Sequence, residues 1–398
     1  MAAASPEFDH GRDLDIVVYG ATGFTGRLTI EYLAKHAPPG LTLGIGGRDA
    51  AKLEEIREHL YAGGRDVRVV VARSDDAASL RAMAARTRVV ITTVGPYIRY
   101  GEPLVEACIA EGADYLDITG EPVFVDRILS VYGERAARAG VRVVSCCGFD
   151  SIPHDLGVYY TMRELQPKGR VSVEGFVQAG GGISGGTWHS AIGIMARLRE
   201  DRAKARVSLA ATNGRAVRGI KGRPHTEPEV GGWVLPFPSI DPAIVLRSAR
   251  ALDLYGPDFS YGHYVRVGSL PKAIGLGLSV GAVAALAQVE ATRELLLRYK
   301  KPGEGPSEEV RRRGFFRVTF VSKTDDERML SRVSGGEPGY TETSKMLAEC
   351  ALALVLDRAR LPASAGVVTP AVAFGEVLVE RLQAAGIRFE VVRRTKER

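Results

Sequence analysis

Cysteine is scarce, with four in 398 residues, and none is placed for metal or redox chemistry. Cys108, Cys146, Cys147 and Cys350 include no C-x-x-C pair and no histidine at ligand spacing. That excludes a structural zinc and points to a reducing compartment. The adjacent pair Cys146 and Cys147 falls at an expected strand end and reads as buried packing. No metal is expected.

Long apolar runs are equally few. The most hydrophobic stretch, residues 273–287 (AIGLGLSVGAVAALA), is fifteen residues, short of the roughly 20 needed to cross a bilayer. A buried helix is its expected state, and a surface turned to lipid or acyl chains is the alternative. Charge of one sign is not concentrated either. The net charge is +6 and the pI about 9.1, with only short basic clusters at residues 311–313 and 393–398. Such a mild excess suits anionic cofactors and, with no recognisable binding motif, excludes nucleic acid as the expected partner. Residues 1–13 carry no apolar core and read as a disordered lead, not an export signal, so the expected location is the cytoplasm. With 45% hydrophobic and 25% charged residues, the composition is that of an ordinary globular chain.

What the chain does have is a glycine turn between two periodicities. Residues 14–19 (LDIVVY) form an apolar run that passes into Gly20, Ala21, Thr22, Gly23, Phe24, Thr25 and Gly26, then into a segment with helical spacing. Gly20 permits the turn, Gly23 lets backbone approach a pyrophosphate, and Gly26 lets helix and strand pack closely. Free N–H groups at the helix start would meet the phosphates. A second apolar run, residues 41–45, ends in Gly46, Gly47 and Arg48, where a dinucleotide fold meets the adenosine ribose. An acid there suits NAD; Arg48 has the fork geometry for a 2′-phosphate, so NADP(H), with NADPH favoured over NADH, is the expected cofactor.

Strands and helices continue to alternate through residues 67–71, 77–85, 88–94, 103–111, 115–119 and 141–146. This predicts a Rossmann-type doubly wound parallel sheet, an α/β domain over residues 14–155. Ligands in such sheets lie beyond the carboxyl ends of the strands, so Gly95, Pro96, Tyr97, Thr119, Gly120 and residues 148–155 join the candidate site. Past residue 157 the rhythm changes to alternating strands, predicting a second α+β domain over residues 156–335. Residues 212–242, rich in Gly, Pro and charge, are the expected mobile loop. Residues 301–309 read as a linker, and residues 336–398 are expected to send C-terminal helices back to the first domain.

Taken in order, YGATGFTG, GGR, TTVGPYIRYGEPLVEAC, YLDITGE, CGFDSIPHDLG, SGGT, EPGYTETSKM and GVVTPA resemble the saccharopine dehydrogenase-like oxidoreductases, and more narrowly their trans-acting enoyl reductase branch in mycobacteria and related actinobacteria. The resemblance spans residues 14–386. It implies an NAD(P)-binding domain joined to an α+β domain, and a stand-alone enzyme that reduces a double bond in an acyl thioester held by a polyketide synthase, on an acyl carrier domain. Two other classes stay open: a saccharopine-type amino-acid (imine) dehydrogenase, and a non-catalytic NADP-binding protein at a lipid surface. A peripheral contact at the inner face of the membrane and a homodimer are likewise left open.

Reduction of an enoyl thioester requires a donor facing the thioester oxygen and a proton for the α-carbon. Tyr97, Ser151 and His154 are the catalytic candidates, with Thr187 as a further donor and backbone N–H of Gly148 or Gly185 as oxyanion partners. Duller roles compete: Tyr97 as a pocket wall, His154 as structural glue bonded to Asp150 or Asp155, and His189 as core.

Overall fold

The computed structural model describes residues 11–180, 214–298 and 305–396, with Ile192 and Met195. The glycine-rich stretch ending at Thr187, with Gly185 and His189, lies outside them. The described chain divides into two compact units.

The first unit comprises the chain up to Gly148 with Thr343–Val368 and Ala373–Arg381. Its strands are β1 (Leu14–Tyr19), β2 (Leu43–Gly47), β3 (Arg68–Val71), β4 (Thr87–Thr92), β5 (Asp114–Asp117), β6 (Arg142–Val144) and, from far along the chain, Gly366–Val368. They form one sheet in the order 3-2-1-4-5-6 with Gly366–Val368 beside β6, every pair parallel. Parallel strands are covered on both faces, which is why β1 is apolar apart from Asp15: Leu14, Ile16, Val17 and Val18 are fully buried. The strand order reverses between β1 and β4, so the crevice for a ligand opens there, at the carboxyl edge.

Helix Tyr97–Glu111 starts six residues before the proline that marked its expected start. The backbone N–H groups of Tyr97 and Ile98 donate to the two carboxylate oxygens of Glu121 at 2.8 and 3.0 Å, capping a first turn that no local residue caps. The seventh strand was not expected at all, being three residues that gain order only against β6. Helix Thr343–Leu356 belongs to this unit and is anchored by charge: Glu349 accepts from Tyr32 Oη at 2.7 Å and from Arg381 Nε at 2.8 Å.

The second unit comprises Phe149–Glu342, Thr369–Val372 and Leu382–Arg398. The contact boundary therefore falls at Gly148/Phe149, and the chain end divides between the units, where the sequence reading drew its line at residue 155 and assigned residues 336–398 to the first domain. Its strands are β7 (Arg170–Gly180), β8 (Ala216–Gly219), β9 (His225–Glu227), β10 (Gly232–Pro236), β11 (Asp258–Gly268), β12 (Phe315–Thr324), β13 (Glu327–Gly335) and a last strand, Arg388–Lys396. These form one mixed sheet in which β7 lies parallel to β11 and antiparallel to β12, and Arg388–Lys396 pairs β13. The expected mobile loop is corrected here. Residues 216–236 contribute β8, β9 and β10, with β8 and β10 dividing the length of β11 between them. Their order comes from long-range pairing, which a Gly- and Pro-rich composition hides.

A second correction concerns the apolar stretch. It is a helix, Leu270–Ala287, but not a buried one; only Ala273 and Ala287 are buried.

Candidate functional site

In the first unit the turn after β1 is built by glycine for geometric reasons. Gly20 sits at φ +90°, and Gly23 N donates back to Gly20 O at 2.9 Å, closing the turn. A Cβ on Gly26 would lie 2.2 Å from Gly20 O, so nothing larger fits where helix Phe24–His36 crosses the strand end. That helix begins at Gly23 without a side-chain cap and without an acid in its first turn. No side chain caps its start, and the helix dipole favours an anion there. Thr22 is exposed and Phe24 and Thr25 half-buried around the same turn. Ser344 Oγ donates to Thr25 O at 3.2 Å, a support from helix Thr343–Leu356 that no local motif signals.

Arg48 stands exposed directly after β2. Its neighbour Asp49 is already committed: it caps helix Ala50–Ala62 by accepting from Lys52 N at 3.2 Å. The acid that would favour an unphosphorylated ribose is therefore occupied, and the exposed guanidinium is the group presented at that position. Beyond β3, Arg73 pairs with Asp75 at 3.1 Å and Tyr19 Oη bonds Ser74 Oγ at 2.9 Å, additions to this corner that the sequence reading missed.

Gly95 and Pro96 are exposed after β4, while Thr119 is buried after β5 with Gly120 half-buried beside it. All sequence-selected cofactor residues thus lie on the one carboxyl edge of the parallel sheet. Asp117, which the sequence reading passed over, organises that edge. It accepts from Thr119 N, Cys146 N and Ser145 Oγ at 2.9 to 3.0 Å, and burial still pushes its carboxyl up to about 6. All four cysteines are free and buried. Tyr97 is also at this edge, but its hydroxyl donates to Thr92 O at 3.2 Å and burial raises the phenol well above its ordinary value. It is buried, with its proton engaged.

The second unit gathers the other candidates around a residue the sequence reading never singled out. Ser151, a non-glycine residue held at φ +108°, begins helix Ile152–Leu165 and donates from Oγ to Asp241 Oδ1 at 3.3 Å. His154 Nδ1 approaches the same oxygen at 3.1 Å, an ion-pair approach without hydrogen-bond alignment that leaves both ring nitrogens without an aligned partner. On the other side His263 Nε2 lies 3.5 Å from Asp241 Oδ2, its Nδ1 is 3.1 Å from Tyr261 Oη, and Ser239 Oγ also bonds that carboxylate.

The expected glue of His154 to Asp150 or Asp155 is thus replaced by Asp241; Asp155 instead accepts from Ala371 N at 2.8 Å. Burial alone would raise the Asp241 carboxyl, but the two imidazoles and Ser239 hold it below the usual range. Burial pushes His263 down to about 3, and pushes Asp150 and Asp155 up to about 7. Among the described residues this trio is where a divalent ion would find three donors, one atom each from His154, Asp241 and His263 within 4.8 Å of one another.

A glycine cradle at the switch point of a 3-2-1-4-5-6 sheet, with an uncapped helix start and an arginine at the end of β2, defines an NAD(P)-binding oxidoreductase of the doubly wound class. Comparison with known proteins agrees. Residues 16–144 match the family described as the saccharopine dehydrogenase NADP binding domain. A Mycobacterium tuberculosis protein provisionally named a trans-acting enoyl reductase is 38% identical, over 96% of this chain and 98% of that one. Trans-acting enoyl reductases of Mycobacterium bovis and Mycobacterium ulcerans are 35% and 34% identical, each over 94% of this chain and 97% of theirs. The solved structure of apo saccharopine dehydrogenase (L-Glu forming) from Saccharomyces cerevisiae matches the fold with a TM-score of 0.55, at 13% identity, over 96% of this chain and all of that one. The chain belongs to the saccharopine dehydrogenase-like oxidoreductases, in the branch of the trans-acting enoyl reductases.

Proposed function

We propose that this chain is an NADPH-dependent trans-acting enoyl reductase that acts in the cytoplasm on an enoyl thioester carried by an acyl carrier domain of a polyketide synthase. The observation that carries the cofactor half is the fit at Gly26: the space a Cβ would fill lies against backbone, beneath a helix start that offers uncapped donors. When bound, NADPH supplies the hydride. Gly20, Gly23 and Gly26 with Thr22, Phe24 and Thr25 would hold its pyrophosphate, Arg48 would take the 2′-phosphate, and Gly95, Pro96, Thr119 and Gly120 would serve the nicotinamide half.

Hydride addition to the β-carbon places charge on the thioester oxygen, and the α-carbon must then take a proton. His154, whose ring nitrogens lack an aligned partner beside Asp241, is the residue we assign to proton handling, and Ser151, its hydroxyl spent on Asp241 Oδ1, orients that carboxylate. Tyr97 drops out as donor, because its hydroxyl is spent on Thr92 O and burial makes it a poorer acid. The substrate half rests on the names of the mycobacterial relatives.

Arg48→Ala is expected to weaken NADPH binding about 10- to 100-fold, the worth of charge-assisted bonds to a phosphate, and to leave NADH binding unchanged. Equal wild-type affinity for the two cofactors would remove the assignment. Following NADPH absorbance with an enoyl thioester, then with a keto acid and an amine, separates the enoyl reductase from an imine dehydrogenase. Full turnover in His154→Ala with intact NADPH binding would remove His154 from the proton path.

A further inference from the structure

Helix Leu270–Ala287 has the composition of a core element and the position of a surface one. Leu270, Ile274, Leu276, Leu278, Val280 and Leu286 are all exposed, Leu278 at 71%. Among the described residues, a Cβ built on Gly275, Gly277 or Gly281 would meet nothing within 4 Å, so these glycines pack against none of them. Lys272 is its one charge, and the Ser279 hydroxyl is turned back onto Gly275 O at 2.8 Å. With a mean hydropathy of 1.6, this is a contiguous apolar surface of the kind that marks a binding site.

We propose that this helix seats the protein on an anionic lipid bilayer. Eighteen residues at 1.5 Å each extend about 27 Å, comparable to a hydrocarbon core of about 30 Å. The helix nevertheless does not cross. It leaves the sheet at the end of β11, the chain returns to it at β12, and both strands pair with β7. Both ends of the excursion are therefore on one side, as in a helix that dips into one leaflet.

The charge pattern selects the lipid. Residues 273–289 carry no charge, whereas residues 270–313 as a whole hold eight Lys and Arg against five Glu. Lys272 stands at one end; Arg293, Arg298 and Arg311 to Arg313 stand beyond the other. The pairs Arg298–Glu294 at 4.0 Å, Arg312–Glu308 at 3.8 Å and Arg313–Glu309 at 2.6 Å are exposed i,i+4 contacts of little strength, so the net basic excess of the segment still attracts headgroup phosphates. A second copy of the chain would meet like charge with like. The inference rests on this helix and not on the hydride-transfer reading.

The test is flotation of the full chain with vesicles of phosphatidylcholine alone and of phosphatidylcholine mixed with phosphatidylglycerol. The wild type is expected to float with the anionic vesicles and at least about tenfold less with neutral ones or in high salt. Leu276→Asp combined with Leu278→Asp, at exposed positions that leave the fold intact, is expected to lose flotation at least about tenfold while binding NADPH as the wild type does. A wild type that does not float with anionic vesicles overturns the proposal. So does a wild type found dimeric by light scattering and split by the double variant, with neither form floating.

Discussion

Gly26 shows how much one missing side chain decides. Alanine there would place Cβ 2.2 Å from Gly20 O and 2.8 Å from Thr93 Oγ1, and the nearer atom is backbone that cannot rotate away. Gly26→Ala is therefore expected to destabilise the protein by about 1–3 kcal/mol, the range for overpacking, and to weaken NADPH at least about tenfold. Urea unfolding and a fluorescence titration check both, and a variant indistinguishable from wild type would mean that the turn is not the cradle. This position was legible in the sequence because the strand, turn and helix that constrain it are contiguous. The roles of Asp49 and Asp241 were not. Asp49, next to Arg48 in the chain, spends its carboxylate capping the following helix, and Asp241 lies ninety residues from the serine it holds.

At the scale of elements, the buried His–Asp group joins helix Ile152–Leu165, helix Asp241–Ala251 and β11, and its charges make that junction sensitive to pH. Burial holds His263 near 3, against an ordinary 6.5. As pH falls through 6.5 the unfolded chain takes up a proton that the folded chain refuses, so stability present above that pH is lost on acidification. Asp150 and Asp155 run the other way: pushed up to about 7, they protonate first in the folded state and add stability as pH falls toward 3.8. Both remain in a His263→Gln variant and cancel in the comparison. Between about pH 7 and about pH 5, the wild type is expected to lose about 2 kcal/mol more than His263→Gln in urea unfolding. Parallel loss in the two proteins would show that His263 titrates normally. Elements themselves were legible where their order is local, as in β1, β2 and helix Ala50–Ala62. They were illegible where order is borrowed: β8 and β10 are held by β11 and β9 by β10, and the start of helix Tyr97–Glu111 is capped by Glu121.

For the molecule as a whole, binding of the coenzyme is linked to unfolding. NADPH at about a hundred times its Kd is expected to add about 2.7 kcal/mol of stability, read as a rise in Tm, with slowed amide exchange in residues 20–26. No rise and no protection would remove the cofactor from the account. The sequence by itself determined the alternation of strand and helix, the glycine turn and the family, because each rests on contacts between near neighbours or on motifs preserved in order. Only the tertiary structure decided where the chain divides, that Tyr97 is engaged and Asp241 central, and that the most apolar helix faces outward. Burial and the partner of a polar group depend on segments far apart in the chain, and hydrophobicity alone does not say which surface will cover it.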